Sequence, residues 1–179
     1  MKYLLFLLIL VSFSRCLQES NQIKSKKVET QFLDTLLENY KIDTIANSEI
    51  SRDFKKYKLY KLSTRIQADF NGDNKIDKAI FTSRNNKSGI IISDGKTHKE
   101  TLFGCGQSFG EMGDSFSWVD YWGLLLDSST YNIIVKGSEL VGSENIKLEN
   151  PSIFVRKKEV GGGVITFKKG KYIWVHQSD

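Results

Sequence analysis

From Tyr57 onward the chain is written in short runs of β-branched and aromatic residues, each soon stopped by Asn, Asp or Gly. Runs of about four to eight such residues fit strands and are too short for packed helices, and the punctuation between them supplies turns. The runs fall at 57–70, 77–83, 89–93, 99–103, 131–136, 152–157, 163–167 and 171–177. Between them lie Asn71-Gly72-Asp73-Asn74, Asn85-Asn86-Lys87 and Asp94-Gly95, while Lys168-Lys169-Gly170 makes a hairpin of the last two. Short strands joined this closely pair antiparallel, because a parallel pair needs a crossover of about a dozen residues. The predicted fold is therefore mainly β, of α+β type. An antiparallel sheet curls into a sandwich or partial barrel, with one or two N-terminal helices packed on it. The choice between sandwich and barrel stays open.

The helices are read upstream. Thr30 can cap a helix whose apolar residues Phe32, Leu33, Leu36, Leu37 and Tyr40 make one stripe ending near Lys41, and 48–56 supplies a second, weaker one. Before them, Lys2 precedes an unbroken apolar run over 3–11, with no acid until Glu19. That run is too short for a bilayer, which takes about 20 apolar residues, and has the form of a secretory signal over 1–15. Ser12 and Ser14 suit ordinary cleavage before Arg15. Cys16 alternatively resembles the lipid-modified first residue of a bacterial lipoprotein, although Phe13 and Arg15 depart from the small residues such signals favour. Residues 16–29 then read as a polar tether, and 30–179 as a single β-rich domain.

Loss of Lys2 and Arg15 with the signal takes the net charge from +5 to +3. The remaining basic residues are scattered in pairs such as Lys55-Lys56 and Lys157-Lys158, which speaks against a nucleic-acid surface. Two cysteines are too few for a disulfide framework. Lipidation of Cys16 would leave Cys105 a lone thiol; without it, an oxidising compartment would permit a Cys16–Cys105 bridge.

One segment carries specific chemistry. In Ala68-Asp69-Phe70-Asn71-Gly72-Asp73-Asn74-Lys75-Ile76-Asp77, side-chain oxygens recur at Asp69, Asn71, Asp73 and then Asp77. A hard cation such as Ca2+ takes about six to eight oxygen ligands, and a tight loop provides them by turning alternate side chains inward. The backbone carbonyl near Lys75 adds another ligand, and Asp77 closes the shell. A plain polar turn has no use for three aspartates, which repel one another when no cation is bound. Gly72 permits a sharp bend, and Asn74 stands where such loops usually carry glycine.

The run Asp69-Phe70-Asn71-Gly72-Asp73 closed by Asp77 resembles the calcium loops of FG-GAP and VCBS repeats, with kinship in ligand pattern to dockerin and EF-hand loops. The chain also resembles small secreted proteins or lipoproteins of bacteria that carry one such loop. The resemblance covers nine residues and implies calcium and an extracytoplasmic setting, but no activity. Flanking strands rather than helices set it apart from an EF-hand, and a single loop sets it apart from a propeller.

Other signals are weaker. Residues 104–117 hold four glycines and no β-branched residue, and predict a long irregular loop. Beside it Trp118, Tyr121 and Trp122 could form a stacking platform for a sugar or a partner's side chain, or belong to the core. Gly161-Gly162-Gly163 lacks the Lys-Ser/Thr and helix of a phosphate loop and reads as a bulge or bend. His98 and His176 have no neighbours at zinc-ligand spacing, and no catalytic constellation can be assigned.

These features predict an exported, lipid-anchored cell-envelope protein, or a secreted one, whose calcium-stabilised β domain serves a binding or structural role toward a protein or glycan. The alternatives are a secreted hydrolase-like enzyme acting through 104–117, and an inhibitor or immunity protein.

Overall fold

The computed structural model describes residues 44–178. The signal peptide, Cys16, the tether and the helix expected over 30–41 lie outside the described residues. Residues from Ala46 to the C-terminus form one compact unit. It is mainly β and sandwich-like, with eleven strands, and every pairing is antiparallel. A five-stranded sheet runs in the order β1 (Tyr57–Tyr60), β6 (Tyr121–Leu125), β9 (Ser152–Lys157), β10 (Gly161–Lys168), β11 (Lys171–Ser178). A four-stranded meander comprises β2 (Ile66–Ala68), β3 (Asp77–Arg84), β4 (Lys87–Ser93) and β5 (Glu100–Gly104). A two-stranded ribbon, β7 (Ser129–Lys136) with β8 (Glu139–Lys147), forms a separate sheet whose β7 lies against β11 through side-chain hydrogen bonds. The sheets are open among the described residues, and no closed barrel forms.

The run expected as one strand over 57–70 is two. The polar stretch 61–65 cannot continue the apolar alternation, and it turns instead, with the Thr64 amide donating to the Lys61 carbonyl at 2.8 Å. The chain thereby leaves the five-stranded sheet after Tyr60 and enters the four-stranded one at Ile66.

Burial follows from the layering. Facing sides of the two sheets share a core in which Ile66, Phe70, Ile90, Ile92 and Phe103 meet Trp122, Leu124, Ile153, Val155 and Ile165. The opposite face of the five-stranded sheet, with Tyr121, Leu125, Phe154, Val164 and Val175, is covered by Ala46, Ile50 and Phe54. These last three recur every fourth residue and put one apolar stripe of the helical residues 44–53 against the sheet. A strand covered on both faces needs no polar alternation, and β6 is accordingly buried at all five positions. Each large side chain buried this way stabilises by about 1.5–3 kcal/mol.

Two polar devices fix the helix. Its exit is capped by Asp127, whose carboxylate accepts from the Lys55 and Lys56 amides at 2.8 and 3.0 Å. Asp53 pairs with the buried Arg156 guanidinium of β9, which also lies 5.3 Å over the Phe54 ring. No helix among the described residues is long and apolar enough to cross a membrane.

Candidate functional site

The connection between β2 and β3 winds around Asp69. One Asp69 oxygen accepts from the Gly72 and Asp73 amides at 2.7 and 3.1 Å, and the other from the Asn74 amide at 2.8 Å. Asn71 Oδ1 accepts from Asp73 N at 3.0 Å, and Asp73 Oδ1 from Lys75 N at 2.9 Å. Alternate side chains thus turn inward because each one caps an amide further along the loop, the habit of Asx turns. Two residues make the bend possible: Gly72 at φ 79° and Asn74 at φ 63°, both left-handed. Gly72 is also confined, since a Cβ there would lie 2.5 Å from Asn150 Oδ1.

Asp77 behaves differently from its neighbours. It is fully buried, and its two oxygens accept from Phe70 N at 2.9 Å and Gly95 N at 2.7 Å. Burial pushes its carboxyl above the ordinary range, while those two amides and the nearby Asp94 and Asp69 charges act in opposite senses. Asp77 therefore clasps two loops together, 69–77 and the β4–β5 turn.

That second turn contributes Asp94, which the sequence reading took only as part of a turn. Its carboxylate accepts from Thr97 N at 2.6 Å, Lys96 N at 2.9 Å and Asn71 Nδ2 at 2.8 Å. The Thr97 amide foremost holds its carboxyl below the usual range. The available sequence signal was the Asp-Gly-Lys-Thr run, an Asx turn like the one at Asp69. With Asp69, Asp73 and Asp77, Asp94 adds to the negative field that, after burial, raises the Tyr172 hydroxyl well above its ordinary range.

The fit to a cation is partial. Every side-chain donor of the loop is an oxygen and their spacing is alternate, as calcium requires. Asp69 Oδ1 already accepts two amides, whereas Asp69 Oδ2 and the bonded oxygens of Asp73 and Asp77 each accept one and keep a further lone pair. Against this, among the described residues no three Asp, Glu, His or Cys side chains converge closely enough to grip an ion.

The aromatic platform does not form as a single surface. Trp122 is fully buried, donates from Nε1 to the Lys61 carbonyl at 2.9 Å, and meets the Phe81 ring edge-on at 6.0 Å. Tyr121 is buried on the opposite face of β6. The alternation that makes β6 a central strand sends these neighbours to opposite cores. Trp118 alone of the three stays half-exposed.

Residues 104–117 form an irregular loop with one 3-10 turn at Gly110–Met112. It is pinned by Phe116 N and Cys105 N to the Ser88 carbonyl (2.9 and 3.0 Å), by Gly106 N to the Asp114 carbonyl (2.8 Å), and by the Lys87–Asp114 ion pair. Met112 and Phe116 bury beneath it, and Cys105 is a free, half-buried thiol. Next to the turn lies a cleft of about 390 Å³ lined by Glu111, Trp118, Trp174 and His176, with the His176 Nδ1–Glu111 Oε2 separation at 3.2 Å. Gly161 and Gly162 of the triple glycine border this cleft from inside β10, paired to β9 and β11. A Cβ on Gly163 would lie 2.3 Å from Trp174 Cζ2, so that glycine makes room for the indole.

Comparison with protein-family models, with curated proteins and with solved structures finds no match for this chain.

Proposed function

We propose that this chain is an exported cell-envelope binding protein, lipid-anchored at Cys16, whose β domain is held in shape by one calcium ion at the β2–β3 loop. The ion is held by Asp69, Asn71, Asp73, the Lys75 carbonyl and Asp77, in the manner of the FG-GAP and VCBS loops that the segment resembles. The observation that carries this reading is the loop itself. Asp69, Asn71 and Asp73 turn alternate side chains into one tight bend, stacked against the buried Asp77. Carboxylates carried on one loop at alternate positions gain from a cation that binds only the folded state.

The binding role, rather than catalysis, is supported by the cleft beside 104–117. Its lining supplies one carboxylate, Glu111, and one imidazole, His176, but no hydroxyl or thiol nucleophile. Glycoside hydrolysis ordinarily takes two carboxylates.

Thermal melting in calcium and in chelator tests the ion. At about 1 mM free calcium and a dissociation constant of about 0.1 mM, linkage adds roughly 1.4 kcal/mol. The melting temperature is expected to rise by about 2–6 °C, and magnesium to do much less because it demands a smaller octahedral shell. Identical melting in calcium and chelator would reduce the loop to a polar turn.

A further inference from the structure

Two hollows adjoin beside β11. One, of about 390 Å³, takes in Trp118 and Lys157; the other, of about 380 Å³, takes in Phe109 and Ile133. Glu111, Trp174 and His176 border both, so the two hollows are neighbours on either side of these residues, and together they are called the trough. We propose that this trough binds a neutral oligosaccharide chain. The proposal rests on the binding-protein reading above and gives it a ligand class.

Four observations select that ligand. Each hollow lies within the range of about 300–1,000 Å³ usual for small-molecule sites, and two neighbouring hollows offer places for more than one sugar unit. Trp118 and Trp174 both line the hollows while packing partly against the core, and the accessible part of each is rigid apolar surface suited to the C–H face of a pyranose. The polar groups at the rim are balanced in charge. Glu111, 74 % exposed, accepts hydroxyls and Lys157 donates to them, so neither an acidic nor a basic polymer is favoured. A peptide docking as an added strand would need a free strand edge, and here Asn132 Oδ1 already accepts the His176 amide of β11 at 2.9 Å. With Glu111 as the one carboxylate that the described residues bring to the lining, the trough holds a sugar without cleaving it.

The test titrates the full chain with cellohexaose, chitohexaose and maltohexaose, and with polygalacturonate and a neutral hexapeptide as controls, following heat and tryptophan emission. At least one neutral hexasaccharide is expected to bind and shift the emission, with polygalacturonate and peptide inert. Trp118→Ala should weaken that binding by at least about tenfold, the worth of one stacking contact. Because Trp118 also touches the core, Glu111→Ala serves as the second variant, expected to weaken binding several-fold with unchanged melting. Silence of all three neutral sugars up to about 10 mM overturns the proposal, as does peptide or polygalacturonate binding in their place, or unchanged affinity in both variants. Melting in calcium and chelator is read separately, so failure of the ion and failure of the sugar are distinguishable.

Discussion

Asp73 and Asp77 sit four residues apart in one loop and carry the same charge, yet the chain uses them differently. Asp73 caps a single exposed amide, and its replacement by Ala is expected to leave stability in chelator within about 0.5 kcal/mol while abolishing the calcium response. Asp77→Ala strands two amides, those of Phe70 and Gly95, and each buried unsatisfied donor costs about 1–3 kcal/mol. Relief of charge repulsion alone would predict a small gain for either change. For Asp77 the clasp outweighs it, and a clear loss in chelator is expected. A neutral or stabilising Asp77→Ala in chelator would refute the clasp. The sign of the pH effect follows from the raised carboxyl. Between the ordinary value of 3.8 and its raised folded value, the folded chain binds more protons than the unfolded one. Asp77's contribution is therefore complete at low pH and is lost as pH rises through that window. Asp94, held low, acts the other way, and its contribution fails only as pH drops below 3.8. The melting advantage of wild type over Asp77→Ala should thus widen as pH falls from neutral toward 3.8 in chelator, and a narrowing gap would contradict the assignment.

At the level of elements, β6 is where local pattern and tertiary position diverge. Its sequence, Tyr-Trp-Gly-Leu-Leu, has no alternation to announce a strand, and its aromatics beside a glycine-rich loop leave a surface platform and a core place both open. Its placement between β1 and β9, with a core on each side, decides for the core at Tyr121 and Trp122. Trp122→Ala is expected to cost about 3–5 kcal/mol, since it opens a cavity and removes the donor to Lys61. Trp118→Ala, at a half-exposed site, should cost markedly less; comparable losses in urea unfolding would put both in the core. The ribbon strand β8 escapes notice for the opposite reason, because Glu139–Lys147 has hardly a buried side chain and no apolar face to read. The hairpins with Asn, Asp or Gly at the turn were legible to within two residues or so, because those turns need left-handed residues: Asn85 and Asn86 at φ 49° and 61°, Lys169 and Gly170 at 50° and 79°. In the loop the spacing of Asp69, Asn71, Asp73 and Asp77 was legible. Asp94 was not, because it arrives from another hairpin and only the fold brings it to Asn71.

For the molecule as a whole, the envelope reading predicts a simple partition. Expressed with its signal in a bacterial host, the protein should sediment with membranes, and Cys16→Ser should release it; a soluble wild type beginning at Arg15 would refute the anchor. The switch of sheets at 61–65 has a different consequence, for time rather than stability. The four strands β2 to β5 pair strictly with their chain neighbours, so that sheet can zip up from local hairpins. β1, which directly precedes it, must wait for β6, made only after the whole meander and the glycine-rich loop have passed. Closing that long loop costs entropy before any contact rewards it. Pulse-labelled hydrogen exchange during refolding should accordingly protect Ile90–Ile92 before Lys58–Tyr60, and the reverse order would show that the five-stranded sheet, with its distant partners, nucleates instead. Until β1 docks, the nascent meander shows one bare apolar face to its surroundings, and the chain is then at its most exposed to aggregation.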